Sequence, residues 1–313
     1  MTASEEIRSV RSPRLKTARQ LARRSLRQRV RLFLVEGPQA VREALAWPQF
    51  PPGPQFPPGP ESPPARDSRT GARDRGSEAG AAAGPGLVTE LFLTAAAWSR
   101  QAELAEQAAG GGAAVHLVSG EVMAELAQTV TPQGLLAVCR FVDVPLRQLT
   151  AAAPRLVVLL ANVRDPGNAG TVLRTADAAG ADGVIFADAS VDPYNSKCVR
   201  ASAGSLFHLP LVVGCPVAEA ATALRDAGLR LLAADGNADR ELGELDCGGA
   251  LGSSTAWLFG NEAWGLPEEL LTLADEAVAV PIYGRAESLN LAAAAAVCLY
   301  ASARAQRSSL ARS

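Results

Sequence analysis

The residues best suited to chemistry fall in three short stretches, each following an apolar, strand-like run. The last is V-A-V-P-I-Y-G-R-A-E-S-L-N-L-A-A-A-A-A-V-C-L-Y, residues 278–300. It reads as a buried strand (278–281), a loop (282–287) and an Ala/Leu-rich helix beginning about Ser288. Ser288 is equally well explained as an N-cap, its hydroxyl accepting from a first-turn N–H. Asn290 is not, because it spends an amide inside an apolar first turn. Polar groups gathered only at the mouth of such a helix imply that something polar is held there. A second stretch, L-F-G-N-E-A-W-G-L-P (258–267), sets Asn261 and Glu262 between Gly260 and Gly265. Two glycines permit a tight turn and close approach of a ligand, although Glu262 also fits an ordinary loop carboxylate. The earliest stretch, A-N-V-R-D-P-G-N-A-G-T-V-L-R-T-A-D (161–177), has Asn168 opening a helix and Arg174 six residues later. Val172, Leu173 and Ala176 around Arg174 would let it point into a pocket. Taken alone it reads more simply as a surface Arg with its stem along apolar neighbours. Residues 167–170 resemble a phosphate-binding turn but do not form G-x-G-x-x-G.

The elements around these stretches alternate. Strands are expected at 156–161, 183–187, 209–213, 229–234, 256–259 and 277–281, with helices at 170–179, 217–227 and 267–274. Continuously apolar strands alternating with helices predict a parallel sheet covered on both faces. Ligands bind such sheets beyond the carboxyl ends of the strands, where all three polar stretches lie. Ahead of this unit a smaller α/β domain is expected: strands at 31–37, 90–94, 115–119 and 135–141, helices at 38–47, 95–108 and 121–128, and a Gly turn at 110–112. The division is residues 1–142, a linker at 143–154, and 155–313. Residues 51–86 hold nine prolines and seven glycines and scarcely an aliphatic side chain. They read as a disordered surface insertion.

Composition narrows the classes. The length of 313 residues suits about two domains, and no long uncharged apolar run predicts a membrane helix. There is no leader-like apolar run at the start. Cys139, Cys198, Cys215, Cys247 and Cys298 are scattered without C-x-x-C spacing and read as buried thiols in a reducing cytoplasm. With only His116 and His208, each in a strand-like run, a histidine metal site is not expected, and both read as structural. The net charge is −2, yet ten cations crowd the first 31 residues against Glu5 and Glu6. The basic helix expected there, with Arg14, Lys16, Arg23 and Arg24, points to nucleic-acid phosphate as partner.

Taken together and in order, the stretches resemble the three motifs of the SpoU-type (TrmH-like) RNA ribose 2′-O-methyltransferases of the SPOUT superfamily. The motifs are D-P-G-N-A-G-T-V-L-R-T-A (165–176), L-F-G-N-E-A-W-G-L (258–266) and V-P-I-Y-G-R-A-E-S-L-N-L-A-A-A (280–294). D-P-Y-N-S-K-C-V-R-A-S-A-G-S-L-F-H-L-P (192–210) joins the likeness. In front, S-P-R-L-K (12–16), F-L-V-E-G-P-Q-A-V (33–41) and T-P-Q-G-L-L-A-V (131–138) resemble the family's L30e-like substrate-binding domain. The resemblance implies an α/β chain with a C-terminal parallel-sheet SPOUT domain tied in a deep trefoil knot, a homodimer, and S-adenosylmethionine as methyl donor. It implies that Leu258, Phe259, Gly260, Asn261, Ile282, Gly284 and Leu291 hold that donor, largely through backbone groups. It implies catalytic roles for Arg174, Asn168, Glu262, Ser288 and Asn290, with Asn168 and Glu262 orienting Arg174. Arg200 is a candidate phosphate contact.

Methyl transfer from a sulfonium to a 2′-hydroxyl mainly requires positioning the oxygen and removing its proton. Arg174 is proposed as base in the family, although a guanidinium stays protonated and suits phosphate better. The substrate is RNA, because DNA lacks the 2′-OH. Ribosomal RNA (23S) is the first expectation and tRNA the second. Two other classes remain: a dinucleotide-dependent α/β enzyme, which should carry the missing G-x-G-x-x-G loop, and a non-catalytic RNA-binding protein, which should have lost motif residues.

Overall fold

The computed structural model describes residues 6–47, 86–127 and 129–310; the expected insertion at 51–86 lies, except for Gly86, outside them. The basic N-terminal stretch is not one helix. A 3₁₀ turn (Pro13–Leu15) leads into α1 (Lys16–Gln20) and, after an extended Arg23, α2 (Arg24–Val30). Two demands break it. Leu15, Ala18 and Leu21 are buried against the first sheet. Arg27 turns the other way, donating to the Leu21 and Ala22 carbonyls at 2.8 Å each. Those are carbonyls that the end of α1 leaves open.

The chain continues through β1 (Leu32–Glu36), α3 (Pro38–Ala46), β2 (Val88–Leu93), α4 (Ala95–Arg100), α5 (Ala102–Gly110), β3 (Ala114–Leu117), α6 (Gly120–Leu126) and β4 (Leu135–Arg140). The helix expected over 95–108 is two, broken at Gln101 (φ −133°). Its start is set by Thr94, whose hydroxyl accepts from Ala97 N. The sheet order is β1-β4-β2-β3, antiparallel except for the parallel β2–β3 pair.

The second unit holds α7 (Leu146–Ala151), β5 (Leu156–Leu160), α8 (Pro166–Ala179), β6 (Gly183–Ala187), α9 (Ser196–Ala201), β7 (Leu211–Cys215), α10 (Val217–Asp226), β8 (Arg230–Ala234), α11 (Leu242–Cys247), β9 (Thr255–Phe259), α12 (Glu268–Leu271), β10 (Glu276–Val278) and α13 (Leu291–Leu310). Its six strands pair in parallel in the order β10-β8-β9-β5-β6-β7. Every residue of β5, β6 and β9 is buried, as their unbroken apolar runs require. The stretch expected as the linker carries α7, whose Leu149 is buried beneath the sheet, and Asp143 bridges to Leu211. The last strand ends at Val278, three residues earlier than expected, and α13 begins at Leu291, three residues later than about Ser288.

The two units share one apolar core. At the seam Tyr194 is buried and stacks on Phe141, with ring centroids 3.7 Å apart, while Phe33 lies 4.7 Å away. Its hydroxyl accepts from Val142 N (3.0 Å) and Asp143 N (2.9 Å) and donates to Asp143 Oδ1 (2.7 Å). Burial, then the Asp143 charge, push the Tyr194 phenol well up, so it stays neutral. Beside it the guanidinium of Arg27, buried like Asp192, ion-pairs with that carboxylate at 2.6 Å.

Four of the five cysteines are buried, and burial pushes Cys298 up to about 12; Cys247, in contrast to expectation, is exposed. Of the two histidines, His116 lies in β3 beside Glu90. His208 sits in a turn instead of a strand, between Asp177 (2.8 Å) and Glu43 (3.2 Å).

Candidate active site

Strands β5 and β9 are neighbours, with Leu160 opposite Phe259. The chain reverses its direction of travel across the sheet between them, which places their carboxyl ends at a topological switch point. Just past β5, Asn162 takes a left-handed backbone (φ 58°). Its carbonyl accepts from Asn261 Nδ2 at 2.8 Å, tying the first loop to the second. The second loop closes on itself: Asn261 N donates to Gly265 O (2.9 Å) and Gly265 N to Asn261 O (3.0 Å). A Cβ on Gly260 would sit 2.4 Å from the Gly265 carbonyl oxygen, so this turn requires glycine there.

That turn presents Glu262 to the first loop. One carboxylate oxygen accepts from Arg164 N (3.1 Å), the other from Asp165 N (3.0 Å) and Asn168 Nδ2 (3.3 Å). Asn168 Oδ1 in turn accepts from Asn290 Nδ2 at 3.0 Å. A relay Glu262–Asn168–Asn290 therefore spans all three loops.

The roles at the helix mouths differ from those expected. Asp165, not Asn168, opens α8: its Oδ1 accepts from Asn168 N at 2.8 Å and Pro166 follows at the first helical position. Asn168, two residues further in, is thereby free to turn its side chain outward. A hydrogen bond from Lys197 Nζ (2.6 Å) holds the Asp165 carboxyl below the usual range. At α13, Asn290 is the residue before the helix. Its Oδ1 accepts from Ala292 N (2.9 Å) and its carbonyl from Ala294 N (2.9 Å). Asn290 is thus the cap that Ser288 was expected to be, and its amide nitrogen is left over for Asn168. Ser288 is exposed in the loop.

Arg174 is exposed on α8, about 1.7 turns beyond Asn168. Among the described residues it has no hydrogen bond or ion pair, so neither Asn168 nor Glu262 orients it within one chain. Both have their polar atoms committed elsewhere. Leu258 and Phe259 are core residues of β9 whose side chains face the interior, and the Phe259 carbonyl accepts from Ala161 N at 2.9 Å. Asn261 is buried, whereas Ile282 and Gly284 are exposed and Leu291 is half-buried. Arg14, Lys16, Arg23 and Arg24 are exposed. Arg200 is half-buried and pairs with Glu36 at 3.7 Å across the seam. That places the guanidinium against the first unit, with its Nη1 buried and without a hydrogen-bond partner among the described residues.

Asp165 and Lys197 were not singled out by sequence. Asp-Pro before a helical run is a cap-plus-N1 signature that marks Asp165; nothing in the local pattern marks Lys197. Among the described residues no group of three or more His, Cys, Asp or Glu could hold a metal ion.

Residues 155–300 match the SpoU rRNA methylase family, and residues 78–145 match the RNA 2′-O ribose methyltransferase substrate-binding family. The chain is 36% identical over 192 residues to the 23S rRNA (guanosine(2553)-2′-O)-methyltransferase RlmP of Bacillus subtilis, covering 60% of this chain and 72% of that protein. It is 31% identical to the 23S rRNA (guanosine-2′-O-)-methyltransferase RlmB of Bordetella pertussis, covering 70% and 90%. The crystal structure of AdoMet-bound rRNA methyltransferase from Sinorhizobium meliloti superposes with a TM-score of 0.72 at 26% identity, over 96% of this chain and 97% of that one. The fold and its three-loop site define an RNA methyltransferase. The chain belongs to the SpoU rRNA methylase family.

Proposed function

We propose that the protein transfers a methyl group from S-adenosylmethionine to a ribose 2′-hydroxyl of 23S ribosomal RNA, in the cytoplasm and as a homodimer. The relay Glu262–Asn168–Asn290 carries this reading. It links the three loops of one switch point side chain to side chain. Residues 1–142 form the substrate-binding part and 155–313 the methyltransferase part.

The residues present fit S-adenosylmethionine. Among the described residues, none of residues 282–289 makes a hydrogen bond, so a run of backbone donors and acceptors is open beside the turn at Gly260. A nucleoside held mainly by backbone groups needs such a run. Gly260, Asn261, Ile282, Gly284 and Leu291 would hold it, with Leu258 and Phe259 as the strand behind. When bound, it supplies an activated methyl group on a sulfonium. The strand order, with β9 inserted between β8 and β5, is compatible with the knot that the family resemblance implies.

The chain's own residues position the acceptor. Asn290 and Asn168 fix the mouths of α13 and α8 relative to each other, and Ser288 lies exposed in the adjoining loop. Arg174 anchors a phosphate beside the target ribose and stabilises the oxygen as its proton leaves to solvent. It does so for the neighbouring subunit. Arg174 and Ala178 share a face of α8, and the Tyr300 hydroxyl lies 3.5 Å from the Ala178 carbonyl. On α13 the exposed Val297 and Tyr300 share the adjoining face. An apolar face beside an arginine with no partner among the described residues supports a second copy docking there and receiving Arg174 into its own site.

Melting with ligands tests the reading. S-adenosylmethionine should raise the melting temperature and NAD should leave it unchanged, because a ligand of the native state stabilises by mass action. A shift with NAD alone would return the dinucleotide reading.

A further inference from the structure

An open cavity of about 360 Å³ lies at the seam of the two units, away from the loop of residues 282–290. That volume is within the range of ligand sites, about 300–1,000 Å³. Arg24, at the start of α2, lines it from one side and Arg164, from the loop after β5, from the other. Both are exposed, and among the described residues neither guanidinium has a hydrogen bond or an ion pair. The one carboxylate in the lining, Asp192, is consumed by Arg27. Three arginines against one carboxylate leave two positive charges uncompensated.

The wall between them is built, not slack. Ala189 holds a left-handed backbone (φ 63°), a conformation that costs about 1 kcal/mol or more in a non-glycine residue. It is kept there by its neighbours: Ser190 Oγ donates to Leu160 O (2.9 Å) and Val191 N to Val163 O (2.8 Å). Both acceptors flank the β5 loop that carries Arg164. Arg164 N is itself held by Glu262, the first member of the relay. The cavity and the candidate active site are therefore two ends of one braced loop.

Resting on the proposed RNA substrate, we propose that this cavity is a subsite for the RNA strand beside the methylated nucleotide. Arg24 from one unit and Arg164 from the other grip a phosphodiester there. Forked guanidiniums suit phosphate oxygens. An open, two-sided cleft passes a strand, which a closed pocket for a free anion does not. Gripping from both units makes the substrate-binding part and the methyltransferase part read the same stretch of backbone.

The test uses the full chain and a fragment of unmodified 23S rRNA, with Arg24→Gln, Arg164→Gln, the double variant, and Arg147→Gln, an exposed residue of α7, as a control matched in charge to each single variant. RNA binding is measured across salt concentrations, with methyl transfer and the S-adenosylmethionine melting shift in parallel. The double variant should bind about tenfold or more weakly and raise KM rather than lower kcat. Its salt dependence should be shallower by about 0.7 in log–log slope, the contribution of one single-strand phosphate contact. The melting shift should be unchanged. Affinity and slope equal to the wild type, or a loss matched by Arg147→Gln, overturn the subsite. If the wild type binds the fragment but never methylates it, the enzymatic reading fails, while the variants' binding still decides the cavity.

Discussion

Asn168 and Asn290 lie 122 positions apart in the chain and share a hydrogen bond of 3.0 Å at the mouths of two helices. Each is also tied to its own backbone or loop: Asn290 caps α13 through Ala292 N, and Asn168 donates to Glu262. The pair makes the first turns of α8 and α13 one unit, and the open loop of residues 282–289 hangs from it. Asn290→Ala should lose about 1 kcal/mol of stability as a lost cap. A double-mutant cycle with Asn168→Ala should show a coupling of about 0.5–1.5 kcal/mol by urea denaturation. Additive single losses would mean the contact does not fasten the loops.

The second fastening is at the seam, where Arg27 and Asp192 are both buried. Asp192→Ala leaves a buried guanidinium without its counter-charge and should cost about 3–5 kcal/mol. Adding Arg27→Met removes the stranded charge and should recover part of that loss, measured by the same denaturation. A second loss on top of the first would show that Arg27 stabilises through its bonds to Leu21 and Ala22 more than through the ion pair.

This pair also marks the limit of what was legible beforehand. The unbroken apolar runs of β5, β6 and β9 announce a covered parallel sheet, and the spacing of Asn168, Glu262 and Asn290 places them beyond its strands. Arg27 is indistinguishable in sequence from its exposed neighbours Arg23, Arg24 and Arg29, because its partner is 165 positions away. The same holds at α13. Serine and asparagine both cap helices, and only the reach to Asn168 selects Asn290. A short helix such as α7 is set by Leu149 finding the sheet, a tertiary contact that propensity does not encode.

His208 supplies a pH dependence across the seam. Burial lowers its affinity for the proton, but hydrogen bonds to Asp177 and Glu43 outweigh that, and the net shift is upward from 6.5. A histidine raised on folding contributes stability that is fully present below the unfolded value and lost as pH rises through the folded value. The melting-temperature gap between wild type and His208→Gln should therefore be widest below pH 6.5 and close above it. A gap independent of pH would assign His208 a packing role only.

The face of α13 bearing Val297 and Tyr300 predicts the assembly. Wild type should sediment as a dimer at micromolar concentration, and Val297→Glu with Tyr300→Arg as a monomer of about half the mass. Because Arg174 is assigned to the neighbouring site, the monomer should also lose methyl transfer. A fully active monomer would place Arg174 in its own subunit's site.

The most direct measurement is transfer of labelled methyl from S-adenosylmethionine to unmodified 23S rRNA and, separately, to tRNA, by wild type and Arg174→Ala. The account predicts label in 23S rRNA at a single alkali-resistant linkage, with at least about a hundredfold loss in the variant, as for a positioned group at the reacting centre. Label in tRNA alone would move the substrate. No label in either RNA, despite tight RNA binding and a normal S-adenosylmethionine melting shift, would contradict the account.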